Sequence, residues 1–290
     1  MGNKCLPEVV VNKKNLIGEG ILWHPSKRCV YWVDIPKAKI FQYKPSTGAT
    51  QEWKTGFPVG GFTIHEDGRL LLFMYEGAVR LWMDGEFETV IKSLPEMKGN
   101  RFNDVVADPL GRVFCGVMST DSTKGWVYRM DTDKTFTQVI ENTGTANGMG
   151  FSKDEKRLFF CDSKKSNVSV FDYDKKTGEI SNRKIILQTL RSDSGSPDGL
   201  CVDSSDNIWV GLWDGSSIVQ IDQNGCELQR IKFPVRKITT LCFGEEDLTN
   251  IYINSAGGDD LQQNGQLAGA LFHLRLGMKG KYEYRSRLKS

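Results

Sequence analysis

The chain has 290 residues, 39% of them hydrophobic, which is enough to bury a sizeable core. Its 38 basic residues nearly balance 36 acidic ones and no basic block occurs, which argues against a nucleic-acid partner. No apolar run approaches the ~20 residues a membrane-spanning helix needs, so the expectation is a soluble cytoplasmic protein without a membrane partner, a monomer or weak homo-oligomer.

In chain order, Met1-Gly2-Asn3-Lys4-Cys5-Leu6 lacks the apolar segment of a secretory signal, and Leu6 stands where a myristoylation motif needs Ser or Thr. Val9-Val10-Val11 is a lone apolar run, expected to pair with the last strands of the chain. Next come six similar period-two runs, Cys29–Val33, Leu70–Met74, Val113–Val117, Leu158–Cys161, Ile208–Leu212 and Ile251–Asn254. Taking residues 31, 71, 114, 159, 209 and 252 as markers gives separations of 40, 43, 45, 50 and 43. A repeat near forty residues with several strands per copy predicts a β-propeller. In each copy a polar turn precedes the marker strand. A third strand follows it and in most copies reaches a tight turn, such as Thr47-Gly48, Asp84-Gly85, Thr177-Gly178 or Asn224-Gly225. A fourth strand follows the turn.

The fold class predicted is therefore all-β, a six-bladed β-propeller with a central metal site, as one domain over residues 1–290. Residues 255–269 read as a surface loop, and little helix is expected. The chain has seven cysteines and no Cys-x-x-Cys pair. Those at 29, 115, 161, 201 and 242 lie inside apolar runs and read as small buried hydrophobes in a reducing compartment.

Aligning the first strand of each copy on the residue before its apolar run gives Glu19, Gly60, Asn103, Asn147, Asp198 and Thr239. First strands line the channel of a propeller, so equivalent positions form a ring at one depth. Two carboxylates and two asparagines on such a ring are converging oxygen donors. Unpaired carboxylates there would repel one another and resist desolvation, and a bound cation relieves both costs. Oxygen donors suit a hard divalent ion, Ca²⁺ first, with Mg²⁺, Mn²⁺ and Zn²⁺ as alternatives.

The segments Gly18-Glu19-Gly20, Asn100-Arg101-Phe102-Asn103-Asp104, Asn147-Gly148 and Ser196-Pro197-Asp198-Gly199 resemble the gluconolactonase / senescence-marker-protein-30 (regucalcin) / luciferin-regenerating-enzyme family. So do Phe171-Asp172-Tyr173-Asp174 and Leu276-Gly277-Met278-Lys279-Gly280. The resemblance spans roughly residues 15–282. It implies one catalytic divalent metal in the channel, held by Glu19, Asn147 and Asp198, with Arg101 and Asn103 contacting a sugar lactone. Some members carry a glutamate after the segment matching Gly116-Val117-Met118. Here the residues are Ser119-Thr120-Asp121, so a substrate contact would fall to the shorter Asp121.

The function expected is a metal-dependent lactonase with Asp198 as ligand and proton acceptor, Asp104 being an alternative base. A binding scaffold with a structural metal is the alternative, and ester or phosphotriester hydrolysis a side activity. His24, His65 and His273 show no ligand spacing and read as turn or surface residues. No Gly-x-Ser-x-Gly elbow, Gly-x-x-x-x-Gly-Lys loop or Gly-x-Gly-x-x-Gly occurs. The tryptophans and phenylalanines are assigned to packing between blades.

Overall fold

A computed structural model describes residues 6–289, apart from the side chains at 191 and 193. The expectations for the first five residues lie outside it. The described residues form six antiparallel sheets of four strands. Five are built from consecutive strands and make blades 1 to 5, over residues 18–54, 59–91, 102–143, 146–188 and 196–232. Blade 6 takes three strands from 238–275 and its outermost from the start of the chain, Glu8–Asn12. In that join Glu8 opposes His273 and Asn12 opposes Ala270. A ring held only by its covalent path would leave a raw edge at each end. Splicing the first strand onto the last blade gives both ends a partner, as the run Val9-Val10-Val11 suggests.

The innermost strands are Gly18–His24, Val59–Ile64, Phe102–Ala107, Ala146–Phe151, Ser196–Val202 and Ile238–Gly244. Each contains the segment expected from the alignment. They are buried on both faces, as are the second strands, whereas outer strands such as Glu86–Ile91 are mostly exposed. The core is divided among the seams between neighbouring blades. Tyr31 meets Trp82 edge-on across the first seam, Phe73 meets Phe102 across the second, and Phe114 meets Phe151 across the third. Trp209 meets Phe243 between blades 5 and 6, and Tyr43 meets Tyr252 where blade 6 returns to blade 1. Burying each such ring contributes about 1.5–3 kcal/mol, while the seam between blades 4 and 5 is filled by Phe159, Cys161 and Val168 with Leu200, Val202 and Val210.

Two readings need amendment. The stretch 255–269 carries the short helix Leu261–Asn264 and buries Ala256, Asn264 and Ala268. It is pinned to the start of the chain by bonds such as Gly257 N–H to Asn15 O, which is why it packs instead of standing free. His24 and His65 are buried at the ends of inner strands and are not surface residues. Both lie where inner-strand ends meet neighbouring turns, His24 bonding to Gly68 O of blade 2. Helix is otherwise scarce among the described residues, and none is long and apolar enough to cross a membrane.

After blade 6 the chain crosses the end of the channel as a strap. Gly280 bridges Asp203 of blade 5, Tyr284 packs on Phe151 of blade 4, Ser286 bridges His65 of blade 2, and Arg287 N–H donates to Gly111 O of blade 3. The strap lies across that end of the channel, and the site described next lies toward the other.

Candidate active site

Every inner strand breaks register with its neighbour at the aligned offset: between Glu19 and Leu22, Val59 and Gly61, Phe102 and Val105, Ala146 and Met149, Pro197 and Leu200, and Ile238 and Leu241. A bulge re-aims side chains, and its repetition around the ring turns Glu19, Asn103, Asn147 and Asp198 into one cavity. The residue that follows is often glycine because adjacent inner strands nearly touch there. A Cβ on Gly148 would lie 2.2 Å from Leu200 N, and one on Gly199 would lie 2.4 Å from Thr240 Oγ1.

Glu19, Arg101, Asn103, Asn147 and Asp198 line one cavity of about 280 Å³ at the open end of the channel. Of the aligned ring, Thr239 is the outlier in role: its hydroxyl donates to Gly18 O at 2.5 Å and ties blade 6 to blade 1. The cavity residues form a relay. Arg101 Nη1 donates to Asn103 Oδ1 and Phe102 O, both at 2.8 Å. Asn103 Nδ2 donates to Asn147 Oδ1 at 2.9 Å and to Ala146 O at 2.8 Å. Asn147 Nδ2 donates to Asp198 Oδ1 and to Ser163 Oγ, and Ser163 Oγ in turn donates to Pro197 O. Arg101 is thereby held within blade 3, while Asn103 bonds across to Asn147 of blade 4 and Asn147 to Asp198 of blade 5.

The electrostatics are costly. Burial pushes Glu19 and Asp198 well above the carboxylate range; Asp198 and Asp104 add to this for Glu19, as Asp104 does for Asp198. Burial also lifts Asp104, to about 7, against the pull of Arg101. Glu19 Oε2 is buried without a hydrogen-bond partner among the described residues. An unpartnered buried carboxylate oxygen costs on the order of 1–3 kcal/mol or more unless something cationic meets it.

A match to the SMP-30/gluconolactonase/LRE-like region covers residues 17–257. The chain belongs to that family. Pentonolactonase XacC of Haloferax volcanii is 39% identical over 284 residues, covering 96% of this chain and 97% of that protein. Regucalcin of Xenopus laevis is 32% identical over 286 residues, covering 94% and 95%. The solved luciferin-regenerating enzyme superposes with a TM-score of 0.90 at 28% identity, over 98% of this chain and all of that one.

The family member described here has an oxygen donor set that fits a hard divalent cation. Glu19, Asn147 and Asp198 come from three blades into one cavity, and the unmet Oε2 of Glu19 is a vacant acceptor. Ligation through Asn147 Oδ1 would require a half-turn of its amide, since Nδ2 now faces Asp198. Asp104 does not share the upper cavity. It lines a smaller one of about 50 Å³ deeper in the channel, with Cys201, Cys242, Glu283 and Tyr284.

Asp121 also stands apart, exposed on the loop after the second strand of blade 3 and absent from the cavity wall. That loop folds on itself, Thr120 N–H donating to Thr123 O and Thr120 Oγ1 lying 2.7 Å from Thr123 Oγ1, which carries Asp121 outward. The wall on that side is Met118 and Lys164. Ser163, Lys164 and Trp213 were not singled out from the sequence. Ser163 and Lys164 follow the second strand of blade 4 and Trp213 ends that of blade 5, so the aligned offset before first strands could not find them.

Proposed function

We propose that the protein is a metal-dependent hydrolase that opens sugar lactones, pentonolactones among them. The observation that carries this is the gathering of Glu19, Asn147 and Asp198 with Arg101 and Asn103 in one cavity, in a chain 39% identical to a pentonolactonase. Glu19, Asn147 and Asp198 would hold the ion, with Ca²⁺ the first choice for an all-oxygen set. A divalent cation there would polarise the ester carbonyl and lower the pKa of an adjacent water.

The chain's own groups do the rest. Among the described residues, Nη1 is the one side-chain nitrogen of Arg101 that is engaged, which leaves its other guanidinium N–H groups to donate to a lactone oxygen. Asn103 holds Arg101 on one side and Asn147 on the other, fixing substrate and donors in one frame. Asp198 takes the proton as water adds to the carbonyl carbon, and the proton ends on the ring oxygen when the ester C–O bond breaks. The products are a hydroxyl and a carboxylic acid, which ionises. Asp104 is the weaker candidate for this base because it lines the deeper cavity. Five of the six cysteines among the described residues are buried free thiols, which suits a reducing cytoplasm.

The test is Asp198→Ala. Elemental analysis after dialysis should find the metal lost, and hydrolysis of a pentono-1,4-lactone should fall to background at every metal concentration. A variant that keeps stoichiometric metal and activity overturns the assignment. Metal-replete wild-type protein inactive on all sugar lactones would favour a scaffold role.

A further inference from the structure

The cavity wall carries two cations, Arg101 and Lys164. Arg101 is committed to the relay above. Lys164 is not, and nothing in lactone opening requires it.

Its position is built in. Lys164 sits in the turn between the second and third strands of blade 4, and the carboxylate of Asp162, with no exposed surface, organises that turn. Asp162 accepts from the N–H groups of Gly144, Thr145 and Lys165 at 2.9–3.3 Å. Gly144 leaves room for the lysine stem, since a Cβ there would lie 2.5 Å from Lys164 Cβ. The ammonium reaches across to blade 3 and donates to Ser119 Oγ at 2.8 Å. Among the described residues no carboxylate lies within ion-pair distance of it, whereas the neighbouring Lys165 has Asp162 at 3.6 Å. A cation whose partner is a hydroxyl keeps its charge available to a ligand.

With the ion of the proposed function in place, two carboxylates are offset by its two charges, and Arg101 and Lys164 leave the cavity net positive. The geometry points to a substrate class: sugar lactones bearing a second, anionic group, a carboxylate or phosphate remote from the ring ester, which Lys164 binds as a specificity-determining residue. This rests on the lactonase reading and narrows it.

The measurement is kcat/KM of the metal-replete protein for glucono-1,5-lactone, which is neutral, against glucaro-1,4-lactone (free carboxylate) and 6-phosphoglucono-1,5-lactone. Wild type should favour at least one anionic lactone, and that arm identifies the anion. In Lys164→Met the anionic-to-neutral ratio should fall about tenfold, mainly through KM, as expected for one lost charge-assisted contact. Lys164→Arg should retain the ratio. Calorimetry adds a readout independent of turnover: glucarate should bind more tightly than gluconate to wild type and lose that advantage in Lys164→Met. Activity on neutral lactones with no anionic preference, or an equal ratio in Lys164→Met, overturns the inference while leaving the lactonase reading intact. Inactivity on every lactone sinks the reading itself, and equal binding of glucarate and gluconate by wild type then sinks the inference too.

Discussion

Arg101 and Glu19 divide the labour of the cavity between them. Glu19 brings a buried, unmet oxygen, and Arg101 brings a positive charge that no ion can be ligated by. Arg101→Ala should therefore leave metal content intact while lowering kcat/KM for a lactone by roughly 1.5–3 kcal/mol, the worth of a hydrogen bond from a charged donor. Parallel metal analysis and kinetics check it, and loss of metal in this variant would move Arg101 from substrate to ion binding. The Asn103 side chain sits between the two roles, because it accepts from Arg101 and donates to Asn147.

Within an inner strand, the bulge and the glycine after it do the positioning. Gly199→Ala would set a methyl 2.4 Å from Thr240 Oγ1 and 2.7 Å from Thr240 Cα, so blades 5 and 6 must part at the level of Asp198. Overpacking of this kind costs about 1–3 kcal/mol, and denaturant unfolding should show that loss together with weakened metal retention. Unchanged stability would mean that the inner strands are less tightly approached than the geometry indicates. The end of the blade 1 inner strand offers a pH test. His24 Nε2 lies 2.8 Å from Gly68 O and its Nδ1 accepts from Lys27 N–H at 3.2 Å, which fixes a neutral ring with the proton on Nε2. Burial lowers its pKa. The stability it contributes is thus complete above the ordinary imidazole pKa of ~6.5 and is lost as pH falls from there toward the lower folded value. Between pH 7.5 and 5.5 the melting temperature of wild type should drop further than that of His24→Gln. Equal drops would remove His24 from the pH dependence.

At the scale of the molecule, two closures make the ring: the first strand in blade 6, and the strap beneath the channel. The strap exchanges backbone hydrogen bonds with blades 2, 3, 5 and 6, including Glu66 N–H to Ser286 O and Gly280 N–H to Leu248 O. Ending the chain after Leu276 should cost roughly 2–4 kcal/mol, since each bond nets about 1 kcal/mol and freeing the segment returns some entropy. The deeper cavity would also open to solvent. Calorimetric unfolding measures the first effect, and faster hydrogen exchange at Asp104 and Val105 the second. An unaltered melting temperature would show that the splice in blade 6 closes the ring alone.

Repetition made the propeller legible in the sequence. A period near forty residues and two-residue alternation mark all six copies, turn glycines mark most of them, and such local signals survive without tertiary context. The aligned ring was legible for the same reason: Glu19, Asn103, Asn147 and Asp198 occupy one offset in their copies, and the structure brings them to one cavity. What the repeat could not reveal was whatever the copies do not share. Asp121 lies in a loop whose internal hydrogen bonds turn it outward, Lys164 and Trp213 reach the wall from strand ends outside the aligned offset, and the strap belongs to no blade. Those placements depend on how neighbouring blades pack, and only the tertiary structure decides them, because a side chain's direction at a strand end is set by contacts distant in sequence.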